Sequence, residues 1–415
     1  MTTRIARMAV AVLSLCALAS ATGCGSTVGG WAGPSEIDVR TLDIGAYQTE
    51  PLDIHVDYRP GFTYAPQAAG MRLADNVVTA DQVDPKLTMR GDSYTFSSGV
   101  MPESVGDDQP MSDAAKRNSM VYGFTTTGRD KNADWGFSGW PKPDQPNATI
   151  LSLTVMQFND PDTATRAATD FYNTDFNAYK DRNQPVTIAK YPDAHAHWQP
   201  GTPSIRSFLA HGPYVVSVLA LTPSPDIDGL TGLTVRALDT EFPVLDKLKP
   251  ITDEETVTLP WDPDYLLSRA LNTGGSGRPQ YGDDNGVFGP HAILHYMADR
   301  KLAAQSVSAV KADEFAKTSD ALVVRTADAA SAKKAVTDHI TFQGGGPAVD
   351  PVPEVPDSSC VENTGKSSKM GDPKRYICIV AYRNYIGYVT SSQLVDVHQR
   401  AAAQYALFAN SQWQP

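Results

Sequence analysis

Apolar and polar residues alternate through 149–158, Thr-Ile-Leu-Ser-Leu-Thr-Val-Met-Gln-Phe, and this period of two predicts a strand with one face buried. Asp160-Pro161-Asp162 comes next, an acidic cap followed by a proline at the first helical position. Ala164, Ala167, Ala168, Phe171 and Tyr172 then recur at helical spacing. Residues 204–210 and 214–221 are apolar runs on either side of His211-Gly212-Pro213, the pattern of a β-hairpin. Residues 230–248 return to a helical period that stops before Pro250, which has no amide proton to continue it.

The same order returns further along. Residues 321–326 read as a strand, Asp328 caps a helix carrying Ala329, Ala332, Ala335 and Val336, and 375–381 with 386–390 make a hairpin. Ser391 or Ser392 then caps a final helix over 393–408. The paired stretches VMQFNDPDTATRAATDFY and VVRTADAASAKKAV argue for an internal duplication. The expected fold is α+β: two related β-α-β-β-α units, each an antiparallel sheet with helices packed on one face, preceded by a loop-rich N-terminal segment. In that segment 36–47 reads as an edge strand and turn. Residues 51–105 read as loop with short helical pieces such as 67–76, and Tyr58, Phe62 and Tyr64 serve as packing feet. Residues 264–299 read as helical, interrupted at 273–277 and followed by a loop over 282–290.

The start of the chain carries an address. Arg4 and Arg7 precede an apolar run of 14 residues, Met8 to Ala21, and then Ala21-Thr22-Gly23-Cys24. A short positive region, an apolar segment and small residues before the cut are the parts of a secretory signal. The run falls short of the roughly 20 apolar residues a membrane span needs. A cysteine just after the cut makes this a lipobox, with Cys24 the lipidated residue and 24–35 a flexible tether. Two acyl chains suffice for stable anchoring where one does not, each buried methylene contributing about 0.8 kcal/mol. The expected domains are a signal over 1–23, the tether, an N-terminal α+β domain over 36–250, a linker over 251–263 and a C-terminal α+β domain over 264–415.

Charge and cysteine content agree with that address. The formal net charge is −12, and removing the signal with its two arginines makes it more negative, so phosphate backbones are repelled and nucleic acid is not expected as a partner. Of the four cysteines, Cys16 leaves with the signal and Cys24 takes lipid. Cys360 and Cys378 remain, and an even pair in an exported chain reads as one structural disulfide.

Candidate chemistry is sparse. His195 with His197, and His291 with His295, have metal-ligand spacing, but neither pair has the glutamate of a zinc hydrolase, and Pro192 and Pro200 frame the first as loop. Gly274-Gly275-Ser276-Gly277 lacks the Gly-Lys-Ser/Thr of a phosphate loop, and Ser367-Ser368-Lys369 reads as solvated surface. Acidic runs at Asp107-Asp108, Asp253-Glu254-Glu255 and Asp283-Asp284 read as exposed, and Asp283-Asp284-Asn285-Gly286 falls short of a calcium loop. Neither a metal nor a cofactor is expected. Trp135, Phe137 and Trp140 sit among glycine and proline and are the candidate ligand contacts, with packing onto their own domain as the structural alternative.

The lipobox, the segment GPSEIDVRTLDIGAYQTEP, the duplicated unit and the cysteine spacing together resemble a family of uncharacterised lipoproteins of mycobacteria, nocardiae and their relatives. The most specific piece is Asp38-Val39-Arg40-Thr41-Leu42-Asp43-Ile44-Gly45-Ala46-Tyr47. The second unit also resembles, faintly, extracellular sensor domains of mycobacterial serine/threonine kinases. The resemblance implies no catalytic residues. The expected role is non-enzymatic binding of an envelope lipid, glycan or protein partner at the outer face of the cell membrane. The alternative is a hydrolase acting on envelope polymer or lipid.

Overall fold

The computed structural model describes residues 36–52, 65–131, 147–272, 285–342, 344–363 and 375–412. Contacts divide the chain into Met1–Asp38 and Val39–Pro415. Within the second unit, the first half runs β1 (Met89–Phe96), α3 (Asp108–Arg117), β2 (Tyr122–Arg129), β3 (Ile150–Gln157), α4 (Pro161–Ala178), β4 (Gln184–Val186), β5 (His195–Trp198), β6 (Ser204–His211), β7 (Tyr214–Leu221) and α5 (Ile227–Leu245). Ahead of it lie α1 (Ala65–Ala74) and the short α2 (Ala80–Val83), and after it the short α6 (Asp253–Val257). The second half runs β8 (Gly286–Phe288), α7 (Arg300–Ala309), β9 (Ala312–Lys317), β10 (Ala321–Thr326), α8 (Ala329–Thr337), β11 (Ala348–Val349), β12 (Ser358–Glu362), β13 (Tyr376–Tyr382), β14 (Tyr385–Ser391) and α9 (Leu394–Asn410).

The two antiparallel seven-stranded sheets have the same topology. Their orders are β1-β2-β3-β7-β6-β5-β4 and β8-β9-β10-β14-β13-β12-β11, so each strand of one has its counterpart in the other. The α+β class and the two similar domains follow from the sequence pattern, but the repeated unit is larger than β-α-β-β-α. It begins two strands and a helix earlier, at β1 and at β8. The hairpins set the correspondence: His211 pairs with Tyr214 as Tyr382 pairs with Tyr385, an offset of 171 residues.

Helices cover both faces of the sheets rather than one. In the first half, Phe96, Met156 and Phe208 pack with Met111 of α3 and Phe171 of α4 on one face. On the other, α1 approaches Thr95 and α2 approaches Gly128. Every residue of β3 is therefore buried, although its alternation predicts one wet face. The polar side survives burial because its hydroxyls find one another: Thr125 and Thr154 at 2.8 Å, Ser104 and Thr154 at 3.2 Å, and Thr127 donating to Ser152 at 3.0 Å. A buried hydroxyl left unpaired costs about 1–3 kcal/mol, so this ladder is the condition for a second helical layer. In the second half Gly387 faces α9, where a Cβ would meet Gln404 Cγ at 2.4 Å. The next residue, Tyr388, points the other way and packs edge-on against Phe342, beyond α8.

Other expectations change. Residues 36–47 form a 3₁₀ turn at Val39–Thr41 and no strand. Asp43 bonds the Gly45 amide and accepts from Gln399 of α9, while Tyr47 donates to Asp396, so the segment is a clasp on the last helix of the second half. Residues 264–299 are not a broken helix: the described part holds 3₁₀ turns at Leu267–Arg269 and Ala292–Tyr296 and the strand β8. The linker contains α6, started by a Thr252–Glu255 capping box that explains its acidic run. His195 and His197 lie on a strand, not in a loop, because the residues between Pro192 and Pro200 pair with β6.

Candidate functional site

The hairpin of β9 and β10 turns through Thr318, Ser319 and Asp320 over the face of the second sheet opposite α9. There a cleft of about 300 Å³ opens. Leu322 of β10, Ile377 of β13, Tyr388 of β14 and Phe342 form its apolar floor, and Lys317 and Arg90 stand at its polar wall. Arg90 comes from the first half. One extra residue in β1 between Arg90 and Ser93 shifts the register against β2, the kind of bulge that re-aims a side chain. Arg90 Nη1 donates to the Tyr296 carbonyl at 2.9 Å, which places the guanidinium at the seam between the halves. Its Nε is buried without an acceptor.

Tyr388 is 6% exposed, and its hydroxyl is buried with no hydrogen-bond partner. Burial raises the phenol far above its ordinary value, so it stays a donor at any physiological pH. Asp320 is ion-paired with Arg400 of α9 at 2.9 Å, and Arg400 also bonds Asp396, the acceptor of Tyr47. The N-terminal clasp is thereby two ion pairs away from the rim of the cleft.

The seam beside the cleft is polar and closed. His295 is fully buried in the Ala292–Tyr296 turn; its Nε2 donates to the Val77 carbonyl at 2.9 Å, and its Nδ1 accepts from Thr126 at 2.9 Å. His291 Nε2 donates to that same carbonyl at 2.9 Å. Burial, with His291 and Arg300 close by, holds His295 neutral. Both Nε2 atoms therefore face backbone oxygen rather than a shared metal position. Arg300, 1% exposed, donates to the Thr127 carbonyl at 2.9 Å, and burial pulls it down to about 10. Glu241 of α5 accepts from the Val78 amide at 2.9 Å, while its other oxygen has no partner; burial pushes its carboxyl up to about 8.

The other sequence candidates fall elsewhere. His197 Nε2 meets Asp175 at 3.0 Å in a buried group with Arg206, and His195 Nε2 meets Thr169 at 3.1 Å. Burial alone would raise the Asp175 carboxyl, but Arg206 and His197 outweigh it and hold the group low. Cys360 and Cys378 face each other on β12 and β13 and are bonded. His398 lies within 4.8 Å of them, but their thiols are consumed in that bond, and its Nε2 donates to the Asp350 carbonyl at 2.9 Å. Cys24, Trp135, Phe137, Trp140, Asp283, Asp284, the glycines of 274–277 and Ser367-Ser368-Lys369 lie outside the described residues, as do Tyr58, Phe62 and Tyr64. Sequence reasoning passed over Arg90 and Tyr388. Arg90 sits in a segment read as loop, and Tyr388 in an apolar strand where an aromatic reads as core.

The two halves also correspond to two family models, described as the N-terminal and C-terminal parts of a domain of unknown function, DUF7373, which match residues 56–261 and 266–411. This chain belongs to the DUF7373 family. No curated protein matches it. The crystal structure of the extracellular domain of PknH from Mycobacterium tuberculosis is similar at 14% identity, over 43% of this chain and 97% of that one. Its TM-score of 0.28 is too low to carry an argument about fold or function. Among the described residues of this DUF7373 chain, no helix is long and apolar enough to cross a membrane.

Proposed function

We propose that this chain is a lipoprotein, anchored through Cys24 at the outer face of the cell membrane, that binds an envelope ligand in the cleft between Arg90 and Tyr388 without transforming it. The anchor rests on the pattern of residues 1–24. The binding role is carried by Tyr388, which lines the cleft and whose buried hydroxyl has no partner in the chain. Most buried hydroxyls in a folded chain have a partner, and a ligand acceptor in the cleft would supply one here. Asp320, a carboxylate at the rim, is engaged by Arg400, which supports holding over proton transfer.

The test is native mass spectrometry of the full chain extracted in mild detergent from the membranes of its own cells. The expected result is a diacylated Cys24 and a co-purifying small molecule that Tyr388→Phe releases. An unmodified Cys24 removes the anchor, and an apo mass in both forms removes the binding role. Turnover of envelope polymer or lipid by that apo chain makes it a hydrolase instead.

A further inference from the structure

We infer that the ligand is an amphiphile with one oxyanion head, a carboxylate or a phosphate, whose head meets Arg90 and whose apolar part lies along Leu322, Phe342 and Ile377. This rests on the cleft being a binding site.

Arg90 carries the head. Its Nη1 is spent on the Tyr296 carbonyl, and its Nε is left without an acceptor, so the edge bearing Nε keeps an unused donor. That edge is the one whose parallel N–H groups match two oxygens of a carboxylate or phosphate. Asp320 at the rim is held by Arg400, which it shares with Asp396. In a chain of net charge −12, a guanidinium on the cleft lining is a local attraction for an anion. Tyr388 supplies a donor with no other use.

The floor carries the rest. Leu322, Phe342, Ile377 and the Tyr388 ring leave an apolar surface inside a volume of about 300 Å³, room for a short chain or ring and too much for a bare anion. A free phosphate would satisfy Arg90 and leave this surface wet.

The experiment is a binding titration of the full chain in non-ionic detergent with four probes: dihexanoylphosphatidate, dodecanoate, dihexanoylglycerol and inorganic phosphate. The two anionic amphiphiles are expected to bind at least tenfold more tightly than dihexanoylglycerol or phosphate. Arg90→Gln should weaken them tenfold or more and Tyr388→Phe three- to tenfold. Should Arg90→Gln fail to fold, Arg90→Lys, which keeps the charge and loses the fork, and Tyr388→Phe carry the test. Dihexanoylglycerol binding as tightly as the phosphatidate, or anion binding indifferent to Arg90, overturns the oxyanion head. Phosphate binding as tightly as the phosphatidate overturns the apolar part. If no probe binds while the native chain carries a neutral molecule, the inference falls and the binding role stands; if the native chain is also empty, both fall.

Discussion

The two halves share ten elements in one order, yet the same face of the sheet is filled in the first and open in the second. In each half an 11-residue connection joins the first strand to the first helix, 97–107 in one and 289–299 in the other. The first folds back over its own sheet: Met101 and Val105 join the core beside Phe171, and Ser104 joins the hydroxyl ladder. Arg206 beneath it donates to the Ser104 carbonyl at 2.9 Å and pairs with the buried Asp175. The second connection leaves its sheet and docks on the first half. Asp75 accepts from the amides of His291 and Ala292 at 2.9 and 2.8 Å, and His295 reaches Thr126. What it leaves behind is the cleft. At the offset of 171, Arg206 becomes Ile377 and Ser217 becomes Tyr388, both lining residues. The duplicated scaffold thus has one copy whose face is closed and one whose face carries the cleft, the two differing in the route of a loop of equal length.

The largest effect is expected where the first half is closed. Asp175→Ala strands the buried His197 and the half-buried Arg206 without their counter-charge, which should cost about 3 kcal/mol in urea unfolding. Because the Asp175 carboxyl is held below its ordinary 3.8, its contribution is present above that pH and lost as pH falls through the folded value. The mutant should therefore lose less stability on acidification than the wild type.

Glu241 tests a second contrast. In each half the last helix receives a backbone amide from the incoming segment, Val78 onto Glu241 and Leu271 onto Gln404. Gln404 also donates to the Arg269 carbonyl, whereas one Glu241 oxygen is unpaired. With a folded value of about 8 against an ordinary 4.5, the folded chain keeps a proton that the unfolded chain releases. Stability then falls as pH rises between those values, by about 1.4 kcal/mol per pH unit. Glu241→Gln should raise stability at pH 7 by about 1–3 kcal/mol, with the gain vanishing near the ordinary carboxylate value. An equal gain at every pH would contradict the neutral-acid account.

The disulfide is another difference between the copies. The positions equivalent to Cys360 and Cys378 are the paired Ala196 and Ser207. Replacing both cysteines by alanine should lower stability by about 3 kcal/mol, the chain-entropy value for a separation of 18 residues, read from the urea midpoint. The smallest effect is expected at the open face. Tyr388→Phe removes a hydroxyl that bonds nothing in the chain, so unfolding should shift by less than about 0.5 kcal/mol or gain slightly. A loss above about 1 kcal/mol would mean the hydroxyl serves the fold rather than a ligand.

Local patterns made much of this protein legible. The strand-Asp-helix passages at Asp160 and Asp328 read correctly because an N-cap is a contact over three residues: Asp160 accepts from the Thr163 amide at 2.7 Å and Asp328 from the Ser331 amide at 2.7 Å. The hairpins read correctly because alternation and a two-residue turn are local too. The duplication was legible as a repeat of such passages, and the bonded Cys360–Cys378 as a residue count. Alternation could say that β3 has two unlike faces, but not that both are buried. A Ser/Thr face is as compatible with water as with a ladder of hydroxyls on β2 and Ser104, and those partners lie 25 to 50 residues away. Nor could the sequence separate 97–107 from 289–299, because the free energy that sends one home and the other across the seam comes from long-range partners, Asp175 with Arg206 and Asp75 with the 291–292 amides. The strand-Asp-helix passages, their caps and the two hairpins were determined by the sequence alone. Which face of which copy stayed open, and hence that Arg90 and Tyr388 line one cleft, was decided only by tertiary packing.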